Sequence, residues 1–292
     1  MVTLRPMRVL CLAVRIFRRV AVVFALSPLT LLPGALSGPA AQAAPTWAPA
    51  ATAAIHPGVQ TFTNGAQCTA NFVFYDGSNV YIGQAAHCSG TGGNLATDGC
   101  TAGTLPVGTK VDVTGASQQG TMVYNSWATM QTAPKETNAD VCAYNDLALV
   151  QLTPADAAKV NPSIPYWGGP TGLAAGSGTL ETVYSYGNSE LRLGLSPLSP
   201  KFGKSLGSSN GNWTQSVLTF TPGIPGDSGS AFLNSGGQAL GVLSTLNILP
   251  LAGTNGVGGL SNELNYLHAH YSSAIQLALG TPDAPFAGLP LP

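Results

Sequence analysis

His87, Asp146 and Ser228 stand in three short contexts: Gln84-Ala85-Ala86-His87-Cys88, Asn145-Asp146-Leu147-Ala148-Leu149-Val150 and Pro225-Gly226-Asp227-Ser228-Gly229-Ser230. A serine hydroxyl becomes a nucleophile when a base takes its proton. The imidazole base in turn needs a buried carboxylate to fix its tautomer and stabilise the imidazolium. These residue types can therefore perform acyl transfer through a covalent serine intermediate. Asp146 opens an apolar run, where a carboxylate is costly to bury unless it is hydrogen-bonded, and an imidazole N–H would meet that need. Asp140, the other acid nearby, sits among polar loop residues. Gly226 and Gly229 flank Asp227-Ser228 and permit backbone conformations closed to other residues. That freedom lets the amides of Gly226 and Ser228 point at one spot, as an oxyanion hole requires. His56, His268 and His270 lack such a context and read as structural or surface residues.

The elements that must hold these residues read as strands. Cys68 to Tyr75 is β-rich and ends at the turn signal Asp76-Gly77, which Asn79 to Gly83 answers before running into His87. Further strands are expected at 110–113, 120–124, 147–152, 178–186, 214–221, 230–233 and 239–246. Short strands with Gly-rich turns and no alternating βαβ pattern indicate an all-β barrel or sandwich. Apolar residues at helical spacing (Leu264, Leu267, Tyr271, Ile275, Ala278) predict a helix over 261–279, capped by Ser261 or Asn262 and ended by Gly280. A short helix is expected at 154–160.

The first 43 residues read as a secretory signal peptide, with Arg5, Arg8, Arg15, Arg18 and Arg19 before an apolar run and Ala41-Gln42-Ala43 as a cleavage site. The apolar run is interrupted and shorter than the roughly 20 residues of a spanning helix, so no stable membrane association is expected after cleavage. Residues 44–54 read as a flexible Ala/Pro-rich leader, 55–280 as the folded domain and 281–292 as a Pro-rich tail. Without the signal, six basic residues face 12 acidic ones, a net charge of −6. No basic cluster is present, so nucleic-acid binding has no electrostatic footprint. Cys11 leaves with the signal, and Cys68, Cys88, Cys100 and Cys142 remain. An even count in an exported chain implies two disulfides, with three pairings open. No C-x-x-C pair supports a zinc site, and no metal or organic cofactor is expected.

The order His, Asp, Ser separates this constellation from subtilisins (Asp, His, Ser) and α/β-hydrolases (Ser, Asp, His). The hydrolase elbow G-x-S-x-G also fails, because position 230 is serine. In Ala-Ala-His-Cys, Asp-Leu-Ala-Leu-Val and Gly-Asp-Ser-Gly the chain resembles the chymotrypsin/trypsin family of serine proteases, most closely its secreted bacterial members. Ser230 departs slightly from the family's usual glycine. The resemblance spans roughly residues 60–280, although its specific motifs fill only about twenty positions. It implies two packed six-stranded antiparallel β-barrels with a C-terminal α-helix. It also implies His87 as general base, Asp146 as its orienting acid and Ser228 as nucleophile.

The resemblance implies a Cys68–Cys88 bridge across the hairpin before His87, and with it a Cys100–Cys142 bridge behind Asp146. It places Pro222 at the base of the primary specificity pocket and Ser244, Thr245 and Leu246 on the strand forming its wall, with Ser244 also hydrogen-bonding Asp146. Pro222 in place of an acid argues against cleavage after Arg or Lys, and Leu246 should narrow the pocket mouth. A small or medium apolar residue is therefore expected before the scissile bond. The resemblance also implies that Asp227 is buried and needs a cationic partner. No Arg or Lys lies between Ala44 and Lys110, so tryptic activation near the domain's start is not expected. Arg192 is the leading internal partner, and the α-amino group of Ile55 the alternative. The function implied is a secreted, monomeric endopeptidase acting on polypeptides. An esterase, or a silent binding protein on the same scaffold, are the alternatives.

Overall fold

The computed structural model describes residues 45–77, 79–92, 97–132, 134–247 and 253–288. The expected signal segment 1–43, Ala44 and the last four residues lie outside them. The first half of the described chain supplies β1 (Gln60–Thr63), β2 (Ala66–Thr69), β3 (Val73–Asp76), β4 (Asn79–Ala85), β5 (Lys110–Val113), β6 (Gly120–Asn125) and β7 (Leu147–Gln151), with helices α1 (Ser126–Met130), α2 (Ala139–Tyr144) and α3 (Pro154–Ala157). The second half supplies β8 (Thr182–Tyr186), β9 (Pro200–Ser209), β10 (Thr214–Thr219), β11 (Ala231–Leu233), β12 (Ala239–Asn247) and β13 (Thr254–Gly259). Helix α4 (Leu260–His270) and β14 (Gln276–Leu277) follow.

All pairings between these strands are antiparallel. The second set closes into a six-stranded barrel, β10-β13-β12-β11-β8-β9, as the resemblance implied. The first set forms an eight-stranded sheet, β14-β3-β4-β7-β6-β5-β1-β2, two strands more than expected. One of the eight is β14, which returns from the second half of the chain to pair with β3. Strand β7 lies between β4 and β6, and Leu147, Ala148, Leu149 and Val150 are all fully buried. A strand covered on both faces reads as an unbroken apolar run, and this buried strand carries Asp146 at its head.

One core cluster joins the two halves. Phe72, Leu147 and Leu149 of the first sheet pack with Leu233 and Val242 of the barrel and with Leu260, Leu264 and Leu267 of α4. Each such leucine contributes about 1.5–3 kcal/mol on burial, which holds an 11-residue helix that would be marginal alone.

Three strands had no sequence signal strong enough to find them. In β13, Thr-Asn-Gly-Val-Gly-Gly has three glycines, which weaken strand propensity; β1 and β9 were not among the expected strands. The helix expected over 261–279 ends at His270. The chain breaks at Ser272-Ser273, and Ile275 and Ala278 are buried because Gln276–Leu277 pairs with the edge of β3. The unpaired edge of β3 is a stronger attractor than two more helical turns. The helix also starts on Gly259, with no side-chain cap.

Residues of the expected leader and of the Pro-rich tail make hydrogen bonds and ring contacts with the rest of the described chain. Ala48 N–H donates to the Val160 carbonyl at 2.9 Å, and Ile55 N–H to that of Lys159 at 3.2 Å. Ala50 N–H donates to Asp283 at 2.8 Å. Thr281 bonds Asn161 and Ser163, and the Phe286 ring packs edge-on to Tyr184.

Candidate active site

His87 lies in the 3-10 turn Ala86–Ser89, immediately after β4. Its ring Nδ1 is 2.6 Å from Asp146 Oδ2, and its backbone N–H donates to Asp146 Oδ1 at 2.8 Å. Ser244 Oγ donates to the same Oδ2 at 2.6 Å, the contact the resemblance implied. A register shift between Leu243 and Thr245 in β12 is what re-aims Ser244 toward the first sheet. Asp146 is 2 % exposed, and the His87 amide, the His87 ring and the Ser244 hydroxyl all hydrogen-bond its carboxylate, the partners that such a buried group needs. Burial pushes the His87 imidazole down. The charge and hydrogen bond of Asp146 outweigh burial and hold it above its ordinary value. The cystines Cys68–Cys88 and Cys100–Cys142 are both present. The first ties the His87 turn to β2. The Trp127 ring lies 6.3 Å from the His87 ring.

Ser228 sits across from β2 and the end of β4. Its carbonyl accepts from Thr69 N–H at 2.8 Å, and Gly229 N–H donates to the Leu243 carbonyl at 2.7 Å. Among the described residues no hydrogen bond runs from the Ser228 hydroxyl to His87; in unliganded sites this contact is often long and tightens when substrate binds. Gly226 and Gly229 have φ of 92° and 88°, so both glycines are required. A Cβ on Gly229 would lie 2.5 Å from the Thr69 carbonyl oxygen. Gly229→Ala is expected to destabilise the fold by about 1–3 kcal/mol from the backbone conformation alone. A lowered urea midpoint, together with slowed serine labelling, checks it. The amides of Gly226 and Ser228 find no acceptor among the described residues, while the Gly226 carbonyl is held by Gln67 Nε2 at 3.0 Å and the Thr69 hydroxyl at 2.8 Å.

Below this loop Asp227 is fully buried and has two cations. Arg192 Nη2 is 2.6 Å from Oδ2, and Lys201 Nζ is 3.0 Å from the same oxygen. The Ser189 amide donates to Asp227 Oδ1 and the Ile224 amide to Oδ2, both at 3.1 Å. Arg192, the leading candidate for an internal partner, is thus in contact with Asp227. Ile55 is elsewhere, fully buried and hydrogen-bonded to Lys159 and Asn161. Lys201 was missed; its signal is that it is one of only six cations after residue 43, and stands next to Phe202 at the start of a strand. Burial pushes its ammonium below the usual lysine value, against the pull of Asp227.

Pro222 accepts from Arg192 Nη2 through its carbonyl at 3.0 Å. The buried Asn255 side chain, also unanticipated, clamps the neighbouring wall: it accepts from Gly223 N–H at 2.8 Å and donates to the Thr245 carbonyl at 3.1 Å. Pro222, Ser244, Thr245 and Leu246 are thereby brought to one region, with Leu246 48 % exposed. The groupings dense enough to hold a metal, Cys68/His87/Cys88 and Asp98/Cys100/Cys142, contain disulfide sulfur rather than the thiolate a metal takes.

No protein-family model and no curated protein matches the chain. Solved structures do. Protease A of Thermobifida fusca is 18 % identical, with 77 % of this chain and 99 % of that one covered and a TM-score of 0.51. A glutamic acid specific serine protease is 17 % identical over 77 % of this chain and all of that one, at 0.49. The Nocardiopsis protease is 18 % identical over 76 % and 98 %, at 0.45. The chain has the chymotrypsin-like serine protease fold.

Proposed function

We propose that this protein is a secreted serine endopeptidase. The observation that carries the reading is the Asp146–His87 pair, joined at 2.6 Å, together with a Gly-Asp-Ser-Gly loop that is pinned to β2 through Ser228 and Thr69 and whose Gly226 and Ser228 amides find no acceptor among the described residues. Ser228 Oγ attacks the substrate carbonyl carbon while its proton passes to His87 Nε2. The amides of Gly226 and Ser228 stabilise the oxyanion, each such donor typically contributing about 10²–10³ in turnover. The imidazolium, steadied by Asp146, gives its proton to the leaving amine. Water then repeats the sequence on the acyl-enzyme. Pro222 and the bulky Leu246 favour a small or medium apolar residue before the scissile bond. Because Asp227 already has internal cations, no new N-terminal ammonium is needed to set the loop. The disulfides and the signal-like N-terminus support export. No helix among the described residues is long and apolar enough to cross a membrane.

A fluorophosphonate serine probe tests this on the chain from residue 44 onward. Labelling of the wild type, absent in Ser228→Ala, is expected, followed by cleavage of blocked peptides after apolar residues. Labelling with ester but no peptide hydrolysis would replace the reading by an esterase, and no labelling at all by a silent scaffold.

A further inference from the structure

Glu263 lies in the first turn of α4, on the stripe that also buries Leu260, Leu264 and Leu267, and is 0 % exposed. An acid on a buried stripe requires a partner or the loss of its charge. Its Oε1 accepts the backbone N–H of Asp146 at 3.0 Å, and its Oε2 has no hydrogen-bond partner among the described residues. The groups around it come from four elements. Gly258 on β13 makes room, since a Cβ there would lie 2.7 Å from Oε1. Asp146 heads β7, Tyr124 on β6 has a buried hydroxyl also without a partner, and Tyr266 shares the helix. His87 reaches Glu263 only through Asp146. No salt bridge to Glu263 is found among the described residues. Burial pushes its carboxyl up to about 8; the Asp146 amide opposes this and the Asp146 charge adds to it.

Resting on the triad reading, we propose that Glu263 is a positioning residue: as a neutral acid it pins the backbone of Asp146 from behind the site, and its ionisation raises the proton affinity of His87. The Asp146 carboxylate grips His87 from one side of the residue while Glu263 holds the main chain from the other. An ionised Glu263 puts a second negative charge beside Asp146, which stabilises the imidazolium and keeps the base protonated to higher pH.

The test follows the His87 imidazole resonance against pH in Ser228→Ala protein, with and without Glu263→Gln. With Glu263 a two-step curve is expected, its second inflection near pH 8; with Gln the curve has one step. The same curve in both proteins overturns the proposal. In the Ser228 background, Glu263→Leu is expected to lower kcat about 10–100-fold with KM within about twofold, as small misplacements of a catalytic group do. Glu263→Gln recovers most of that loss, because its amide oxygen still accepts from Asp146. If Glu263→Leu does not fold, the Gln comparison carries the test. The resonance readout needs no turnover, so failure of the triad reading, seen as absent serine labelling, stays distinct from failure of the Glu263 role.

Discussion

Ser228→Ala is expected to lower kcat on a peptide substrate by about 10⁴–10⁶, with KM nearly unchanged. The alanine removes only the attacking oxygen. The loop backbone, pinned at Thr69, Leu243 and Gln67, has no reason to move. Substrate binding and both oxyanion donors therefore persist, which leaves a residual rate above that of water. His87→Ala should lose a similar amount, and the double variant no more than either single one, because base and nucleophile act as a unit. Asp146→Asn is expected to lose about 10⁴. An asparagine turned to accept from the backbone N–H of His87 presents its NH₂ to Nδ1, which imposes the wrong tautomer. Steady-state kinetics on the three singles and one double variant decide it. Additive losses would mean that Ser228 and His87 do not share a step.

The second large effect concerns stability. Asp227 sets two cations against one carboxylate, with Lys201 0 % and Arg192 9 % exposed. Removing both, as Arg192→Met with Lys201→Met, leaves a buried charge facing only the amides of Ser189 and Ile224. A loss of about 3–5 kcal/mol is expected, the usual result of stripping a buried ion of its partners. The single variants differ. Lys201→Met removes a desolvated ammonium that has one shared acceptor, so its effect should be near zero or stabilising. Arg192→Met removes the shorter pair and the bond to the Pro222 carbonyl, and should lose part of the total. Urea unfolding of the four proteins measures the coupling, which should be about 0.5–3 kcal/mol for residues sharing one partner. A double variant as stable as the wild type would overturn the two ion pairs as a source of stability.

The legible part of the site was the part written in local sequence. Three motifs singled out His87, Asp146 and Ser228, because a histidine at a strand end, an acid heading a buried strand and a serine between glycines each leave a short signature. Ser244 came only from the family resemblance of the strand that carries it. Asn255 and Glu263 left none, and Lys201 only its place among six cations after residue 43. Each is a lone polar residue whose meaning comes from a partner far along the chain: Glu263 meets Asp146 across 117 residues, and Asn255 meets Gly223 across 32. The fold shows the same division. Apolar strands such as β7 were visible, whereas β13 hides its pairing behind glycines needed for close approach. The end of α4 was misjudged because helical periodicity continues past His270, while the decision belongs to the open edge of β3.

That edge has a consequence for a molecule with the proposed activity, which would live among copies of an enzyme able to digest it. After α4 the chain leaves the barrel and finishes as β14 on the sheet of the other half, while Glu263 on the same helix grips the head of β7. Neither half can swing away without breaking strand pairs and a buried hydrogen bond together. Partly open forms, the ones a neighbouring protease would cut, are thereby pushed toward the free energy of complete unfolding. The last strand works as a latch against self-destruction.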